Sequence, residues 1–242
     1  MNAIQGYYER PMTILPSMCD ATAKLGVPNA FALFMDLATE HAERLGIGMN
    51  GLMKQGLFWL TVRTRIRFID RPAMTETVTL RTWPEKPERS RCNRDYAILR
   101  NGRVIVEGKT EWMIMNMKTG RLHPVNGVFP QGLELLEDRV LPGPFSRLTD
   151  DFDGAEALGS YTVRSTDIDL GGHMNNAAYV RAIAGAFSSK EWQGMDIREM
   201  EVAFRSPCFE GEALAIQRRR IDAATDIRLS RDGRTVVLAR IV

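Results

Sequence analysis

The stretch Asp167-Ile168-Asp169-Leu170-Gly171-Gly172-His173-Met174-Asn175-Asn176, followed by Ala177 and Tyr179, sets two carboxylates, a Gly-Gly turn and one of three histidines at the start of an apolar segment. Asp and Asn before such a segment are helix-capping residues, and Gly-Gly marks a turn. A helix that opens straight after the turn presents unpaired backbone N–H groups and the positive end of its dipole. That arrangement polarises a carbonyl while Asp169 and His173 handle protons or water. Capping and turn formation account for the same residues about equally well, so the spacing leaves both readings open.

Outward from this stretch the chain reads as a duplication. Asn175-Asn176-Ala177 opens one helix pattern, and Pro28-Asn29-Ala30 opens another in the N-terminal half. Arg71-Pro72 ends an alternating run (Val62, Thr64, Ile66 and Phe68 against Arg63, Arg65 and Arg67), and Ser206-Pro207 ends a second run containing Met200, Val202 and Phe204. Asn101-Gly102 and Asp232-Gly233 sit between β-rich runs, and such dipeptides supply the two positive φ angles of a type I′ hairpin turn. The landmarks recur in one order, so each half is expected to hold a strand, a helix and about four antiparallel strands.

The two units differ in length. Asn29 to Gly102 spans 73 positions against 57 from Asn176 to Gly233, which gives the first unit 16 more residues. The Gly- and Met-containing segment 45–57 is the expected place for much of the surplus, either as cover for a cavity mouth or as plain surface loop. Helices are expected over 29–45 and 176–188. The second is Ala-rich and so able to sit close against a curved sheet. His41 reads as a packed core histidine, because no titratable partner stands at a helical spacing from it. Segment 124–157, with Pro130, Pro142, Pro144, Asp150, Asp151 and Asp153, reads as a linker with a short helix near Gln131 to Glu137.

Composition narrows the function classes. A 242-residue chain with 44% hydrophobic residues can bury a sizeable core, and a net charge of +2 argues against nucleic acid as a partner. The alternation of Arg63, Arg65 and Arg67 reads as one face of a strand, solvated or, as the alternative, docking an acidic partner. Cys19, Cys92 and Cys208 lie far apart with no metal-ligand spacing, which suits a reducing compartment and argues for no metal. Tyr7, Tyr8, Glu9 and Arg10 stand where an apolar signal core would be, and no run is long and apolar enough to span a bilayer. A cytoplasmic protein with no membrane contact is expected.

A helix embraced by a curved antiparallel sheet, present twice, with Asp-x-x-Gly-His-x-Asn-Asn at the second helix start, resembles the double hotdog acyl-ACP thioesterases. The likeness spans most of the chain, including the pattern around His41 and Gly46, the Trp59 strand, Arg71-Pro72, Thr82-Trp83, and the motif with Tyr179. It implies an α+β double hotdog, with an N-terminal hotdog on the acyl-chain side (1–125), a linker (126–155) and a C-terminal hotdog carrying the catalytic motif (156–242). It implies hydrolysis of fatty acyl-ACP to free fatty acid, with acyl carrier protein as partner, no cofactor, and a homodimer as an open expectation.

Carried over by position, Asp169 and His173 match the family's catalytic aspartate and histidine. Gly171 stands at the family's asparagine, and Pro207 stands at its glutamate, just before Cys208. Gly171, Gly172, Met174, Asn175 and Asn176 are expected around the thioester, with backbone N–H groups from Gly172 to Met174 holding its carbonyl. Phe34 and Trp59 are expected to line the acyl chain, with Cys208 and Tyr179 behind the site. The two departures keep alternatives open: an acyl-CoA thioesterase, attack by a Cys208 thiolate, or an acyl-binding hotdog protein without activity.

Overall fold

The computed structural model describes residues 4–242. In the N-terminal half, β1 (Ile4–Gln5) and β2 (Tyr8–Thr13) precede helix α1 (Val27–Arg44), the short helix α2 (Met49–Met53), and strands β3 (Leu57–Phe68), β4 (Thr77–Pro84), β5 (Cys92–Arg100) and β6 (Arg103–Asn116). The connecting segment adds β7 (Leu122–His123) and β8 (Leu133–Glu134). The C-terminal half runs through β9 (Glu156–Thr162), α3 (Asn176–Gly185), α4 (Ser189–Gly194), β10 (Glu199–Phe204), β11 (Ala213–Ile221), β12 (Ala224–Arg231) and β13 (Arg234–Ile241).

One sheet takes in both halves, in the order β2-β4-β5-β6-β3-β10-β13-β12-β11-β9, with β7 beside β6. The expected four-strand run is therefore a meander of three strands, because β3 lies on the far side of β6 and pairs antiparallel with β10. At this seam Ile66 faces Met200 and Thr64 faces Val202, all of them buried, so the inner faces of the two halves join into one surface. On that surface α1 lays Phe31, Phe34, Leu37 and Ala38, one helical stripe, and α3 lays Ala177, Ala178, Ala182 and Ile183. A single apolar cluster runs through both halves. Both hairpin turns form as their sequence dictates, with φ of 49° and 78° at Asn101-Gly102 and 50° and 75° at Asp232-Gly233.

Because β3 and β10 hold equivalent places and pair antiparallel, the halves are related by an approximate two-fold axis through the seam, and α1 and α3 run in opposite directions. The helices are unequal: α1 has 18 residues and α3 has 10. The extra length of α1 over α3 is about two helical turns. Strands lengthen to match, with 12 residues in β3 against 6 in β10, and 14 in β6 against 8 in β13. The surplus of the first unit is thus an extension of its interior, closed by α2. There Leu52, Leu57, Cys92, Ile114 and Val125 form a second apolar cluster with Trp59 and Phe129. Segment 45–57 is consequently part core, with Leu52 buried and Met49 and Met53 exposed.

Three expectations need correction. The second helix stops at Gly185, because the Ser188 side chain accepts the Glu191 N–H while Glu191 reaches back to Ser188, and this capping box starts α4. No helix forms near 131–137. Gly132 has a φ of 83°, and Leu133 and Glu134 pair in parallel with Ile4 and Gln5. The connecting segment runs over the convex face, where Leu136 and Val140 cover Trp83, Ala97 and Leu99, and the Trp83 indole donates to Asp138 O at 2.9 Å. The arginine row is also not simply solvated: Arg65 pairs with Glu199 at 2.8 Å, Arg67 with Glu107, and Arg63 donates to Ser146 O at 3.2 Å. Among the described residues no helix is long and apolar enough to cross a membrane.

Candidate active site

The loop between β9 and α3 is fixed by its own hydrogen bonds. Asp167 is buried and accepts from the Tyr161 hydroxyl (2.7 Å) and Arg164 N–H (2.8 Å), while its carbonyl accepts from Asn175 N–H (2.8 Å). Asn175 then caps α3, its Oδ1 accepting from Ala177 N–H at 2.8 Å. Met174 N–H donates to Cys208 O at 2.7 Å, tying the helix start to the strand connection after β10. Asp167 thus acts as the loop's anchor, leaving Asp169 at its tip.

Asp169 Oδ1 accepts from Gly171 N–H at 2.7 Å and lies 3.7 Å from His173 Nδ1, just beyond hydrogen-bond distance. Both side chains are about one-third exposed, at 34% and 32%. Gly172 turns the chain at a φ of 76°. A Cβ on Gly171 would stand 2.9 Å from His173 Nε2 and 3.0 Å from Asp169 Oδ1, so the side chain that the family carries there would displace one of them. A larger residue there is accommodated once the His173 ring or the Asp169 carboxylate, both partly exposed side-chain ends, moves aside.

The expected set of carbonyl donors is smaller than Gly172 to Met174. Gly172 N–H is spent on Asp169 O (3.0 Å) and Met174 N–H on Cys208 O, because both close the loop. His173 N–H, between them, has no acceptor among the described residues. Met174 itself is buried in the core, whereas Asn175 is exposed and Asn176 half-buried beside the helix start.

The N-terminal half holds a second copy of this loop. Asp20 N–H donates to Lys24 O (2.9 Å), Ala23 N–H to Asp20 O (3.0 Å), and Thr22 N–H to Asp20 Oδ1 (2.9 Å). Leu25 N–H donates to Pro72 O (2.9 Å) and Gly26 N–H to Met18 O (2.9 Å). Each bond has its counterpart around Asp169, so Asp20 corresponds to Asp169, Lys24 to His173 and Pro72 to Cys208. The structural register therefore puts Arg71, not Pro72, opposite Pro207, and Gly26 opposite Asn175 as the residue before the helix. In this copy Arg71 forms an ion pair with Asp20, and Thr22 adds its hydroxyl. Burial raises the Asp20 carboxyl pKa, but the Thr22 and Arg71 hydrogen bonds outweigh it and hold the net value low. The shared Asp-x-x-x spacing before each helix was the sequence signal for this second loop.

The other expected residues have structural surroundings. Cys208 is fully buried beside the Tyr179 phenol, and burial raises its thiol pKa, which works against the thiolate that nucleophilic attack requires. Tyr179 packs on Phe204. Pro207 offers only its carbonyl, which accepts from Arg231 at 3.2 Å. Phe34 is buried, stacked on Tyr96 at 4.7 Å between ring centres and seated over Gly108. Trp59 lies edge-on to Trp112 and Phe129, and its indole donates to Ile47 O at 2.7 Å. No group of three or more His, Cys, Asp or Glu among the described residues could hold a metal ion.

Two helices on one continuous sheet, with this loop opening the second, define a double hotdog protein. Known sequences carry the assignment further: the acyl-ACP thioesterase N-terminal domain family matches residues 5–130 and the C-terminal domain family matches residues 153–241. The chain belongs to the acyl-ACP thioesterase family. It is 25% identical over 204 residues to the chloroplastic oleoyl-acyl carrier protein thioesterase of Coriandrum sativum, covering 73% of this chain and 52% of that one. It is 21% identical over 193 residues to a chloroplastic acyl-[acyl-carrier-protein] hydrolase of Cuphea viscosissima, covering 73% and 46%. The match thus spans about half the length of these relatives. Among solved structures, an acyl-ACP thioesterase of Bacteroides thetaiotaomicron shares the fold with a TM-score of 0.89 at 20% identity, covering 98% of this chain and 97% of that one. The 12:0-ACP thioesterase of Umbellularia californica does so with 0.80 at 18%, covering 100% and 98%.

Proposed function

We propose that this protein hydrolyses fatty acyl-ACP to free fatty acid and acyl carrier protein, with residues 156–242 carrying the reaction, residues 1–125 receiving the acyl chain and residues 126–155 connecting them. The observation behind this reading is Asp169: an accessible carboxylate at a helix start, with no arginine or lysine paired to it and an imidazole 3.7 Å away. The longer helix and strands of the N-terminal half, with the added apolar cluster under α2, support an acyl chain there.

In this mechanism the thioester carbonyl accepts a hydrogen bond from His173 N–H at the positive end of α3. One such donor is worth about 3 kcal/mol of transition-state stabilisation. Asp169 takes a proton from water as the water oxygen bonds to the carbonyl carbon. The tetrahedral intermediate then breaks its C–S bond, and the sulfur takes the proton that Asp169 drew from water, with His173 steadying the negative charge that develops on sulfur. In the covalent variant an Asp169 carboxylate oxygen attacks the carbonyl carbon, the C–S bond breaks to release the thiolate, and water then opens the resulting anhydride. Single-turnover hydrolysis in H₂¹⁸O reports the second route where water attacks the Asp169 carbon of the anhydride, since that attack alone leaves label in Asp169.

The test of function is release of free thiol and fatty acid from C8 to C18 acyl-ACPs and the matching acyl-CoAs, with Asp169→Asn, His173→Ala and Cys208→Ala beside wild type. Turnover of acyl-ACP that collapses in Asp169→Asn and survives in Cys208→Ala is expected. A folded protein that cleaves no thioester overturns the reading in favour of acyl binding alone, and preference for the CoA esters overturns the carrier.

A further inference from the structure

The interior of the extended N-terminal half contains a polar layer that the proposed hydrolysis does not use. Its centre is Arg94, 6% exposed on the inner face of β5, one alternate position from Tyr96 and two from Ile98. Arg94 Nη1 donates to His41 Nδ1 at 2.9 Å and to Thr82 Oγ1 at 3.3 Å, both neutral partners. His41 is 2% exposed and stays neutral, because burial and then Arg94 bring its pKa down to about 3. With Nδ1 accepting, the proton sits on Nε2, and that buried nitrogen has no hydrogen-bond partner. Below, the Tyr96 hydroxyl meets Thr110 Oγ1 at 2.9 Å, and the Trp112 indole donates to the same oxygen.

This layer lies between the Phe34–Tyr96 stack and the apolar cluster under α2. The corresponding interior of the C-terminal half is lined by Val180, Ile183, Val202, Ile216, Leu229 and Val237, and its own buried arginine, Arg218 on β11, is matched by an ion pair with Glu156 at 2.6 Å. A buried guanidinium with neutral neighbours, and a buried N–H donor without an acceptor, are each costly to leave unmatched. An apolar methyl pressed against them adds no compensation. An oxygen acceptor, above all an anionic one, supplies what both lack.

We infer that His41 and Arg94 form a polar end wall of the acyl site, which binds acyl chains carrying an oxygen acceptor at the far end, carboxylate before hydroxyl, and disfavours plain chains long enough to reach it. The inference rests on the proposed placement of the acyl chain in the N-terminal half.

Its test is displacement of a fluorescent fatty acid by C8 to C18 fatty acids, their ω-hydroxy forms and the matching α,ω-dicarboxylic acids, in wild type, Arg94→Met and His41→Leu, with thermal melts alongside. At one chain length in wild type the ω-carboxylate is expected to bind about tenfold more tightly than the methyl-ended chain, as one charge-assisted hydrogen bond allows. Arg94→Met is expected to erase that ratio and to tighten binding of longer plain chains. Equal binding of methyl- and carboxylate-ended chains at every length in wild type overturns the inference without recourse to a variant, as does an unchanged ratio in a folded Arg94→Met. Acyl-ACP turnover is measured on the same samples. A preserved ω-carboxylate preference without hydrolysis would sink the hydrolase reading and leave the end wall standing, and hydrolysis without the preference would do the reverse.

Discussion

The loop before α1 and the loop before α3 make matching sets of backbone hydrogen bonds, yet Asp20 is locked to Arg71 while Asp169 stands open beside His173. The backbone bonds depend little on side-chain identity, so both halves retain the scaffold that sets an aspartate just before a helix. What separates them is the residue on the following strand connection, Arg71 against Pro207, together with the Thr22 hydroxyl where the other loop has Gly171. An arginine there turns the aspartate into a structural ion pair. A proline there, offering only a carbonyl, leaves the carboxylate without a cation. Pro207, where the resemblance places a glutamate, thus puts neither a cation nor an anion beside Asp169.

The largest effect is expected at the open loop. Asp169→Asn should lower kcat by about 10²–10⁴, the range for removal of a general base, whereas Asp20→Asn should leave kcat within a few-fold of wild type. Equal losses in both, measured by acyl-ACP turnover, would break the distinction between the loops.

Stability should show the reverse. Asp20→Asn or Arg71→Ala should cost about 1–2 kcal/mol in urea unfolding, since the pair is partly buried and hydrogen-bonded. The sign of the pH dependence follows from the lowered Asp20 pKa. Its contribution is complete above the ordinary aspartate value, about pH 4, and is lost as the pH falls through the depressed folded value. Wild type should therefore lose more stability on acidification than Asp20→Asn, and parallel pH profiles would count against the pairing.

Gly171→Ala sharpens the comparison within the open loop. The added Cβ meets His173 Nε2 at 2.9 Å, and the corresponding Thr22 is accommodated beside Asp20. Turnover should fall by about tenfold, as expected when a misplaced group costs roughly 1.4 kcal/mol, with the melting temperature nearly unchanged.

The smallest effects concern the positive-φ corner of each loop. Gly172 adopts a φ of 76° and Ala23 one of 56°. Gly172→Ala should destabilise by about 1 kcal/mol and Ala23→Gly should stabilise by at most about that amount, since alanine in this region is strained and glycine is not. Thermal melts of the two variants give the signs.

Much of the fold was legible because it rests on local rules. The Asn-Gly and Asp-Gly hairpins formed where their dipeptides required, and the helix stripes followed from the spacing of Phe31, Phe34, Leu37 and Ala38. The motif at Asp169 was legible from its spacing. Less legible was anything that joined distant residues. Arg94 reaches His41 from a strand 53 positions away, so spacing along α1 could not reveal it, although an arginine on the face of Tyr96 and Ile98 was a signal. The Arg71–Asp20 pair was hidden in the same way.

The sequence by itself determined the duplication, the hairpins, the helix starts and an aspartate and histidine together at a turn, because each depends on neighbouring residues and their backbone preferences. The tertiary structure decided where β3 pairs, how far the N-terminal interior extends and which of two similar loops has a free carboxylate. Those outcomes depend on which strand lies beside which and on what stands across a buried space, and chain-local physics carries no information about either.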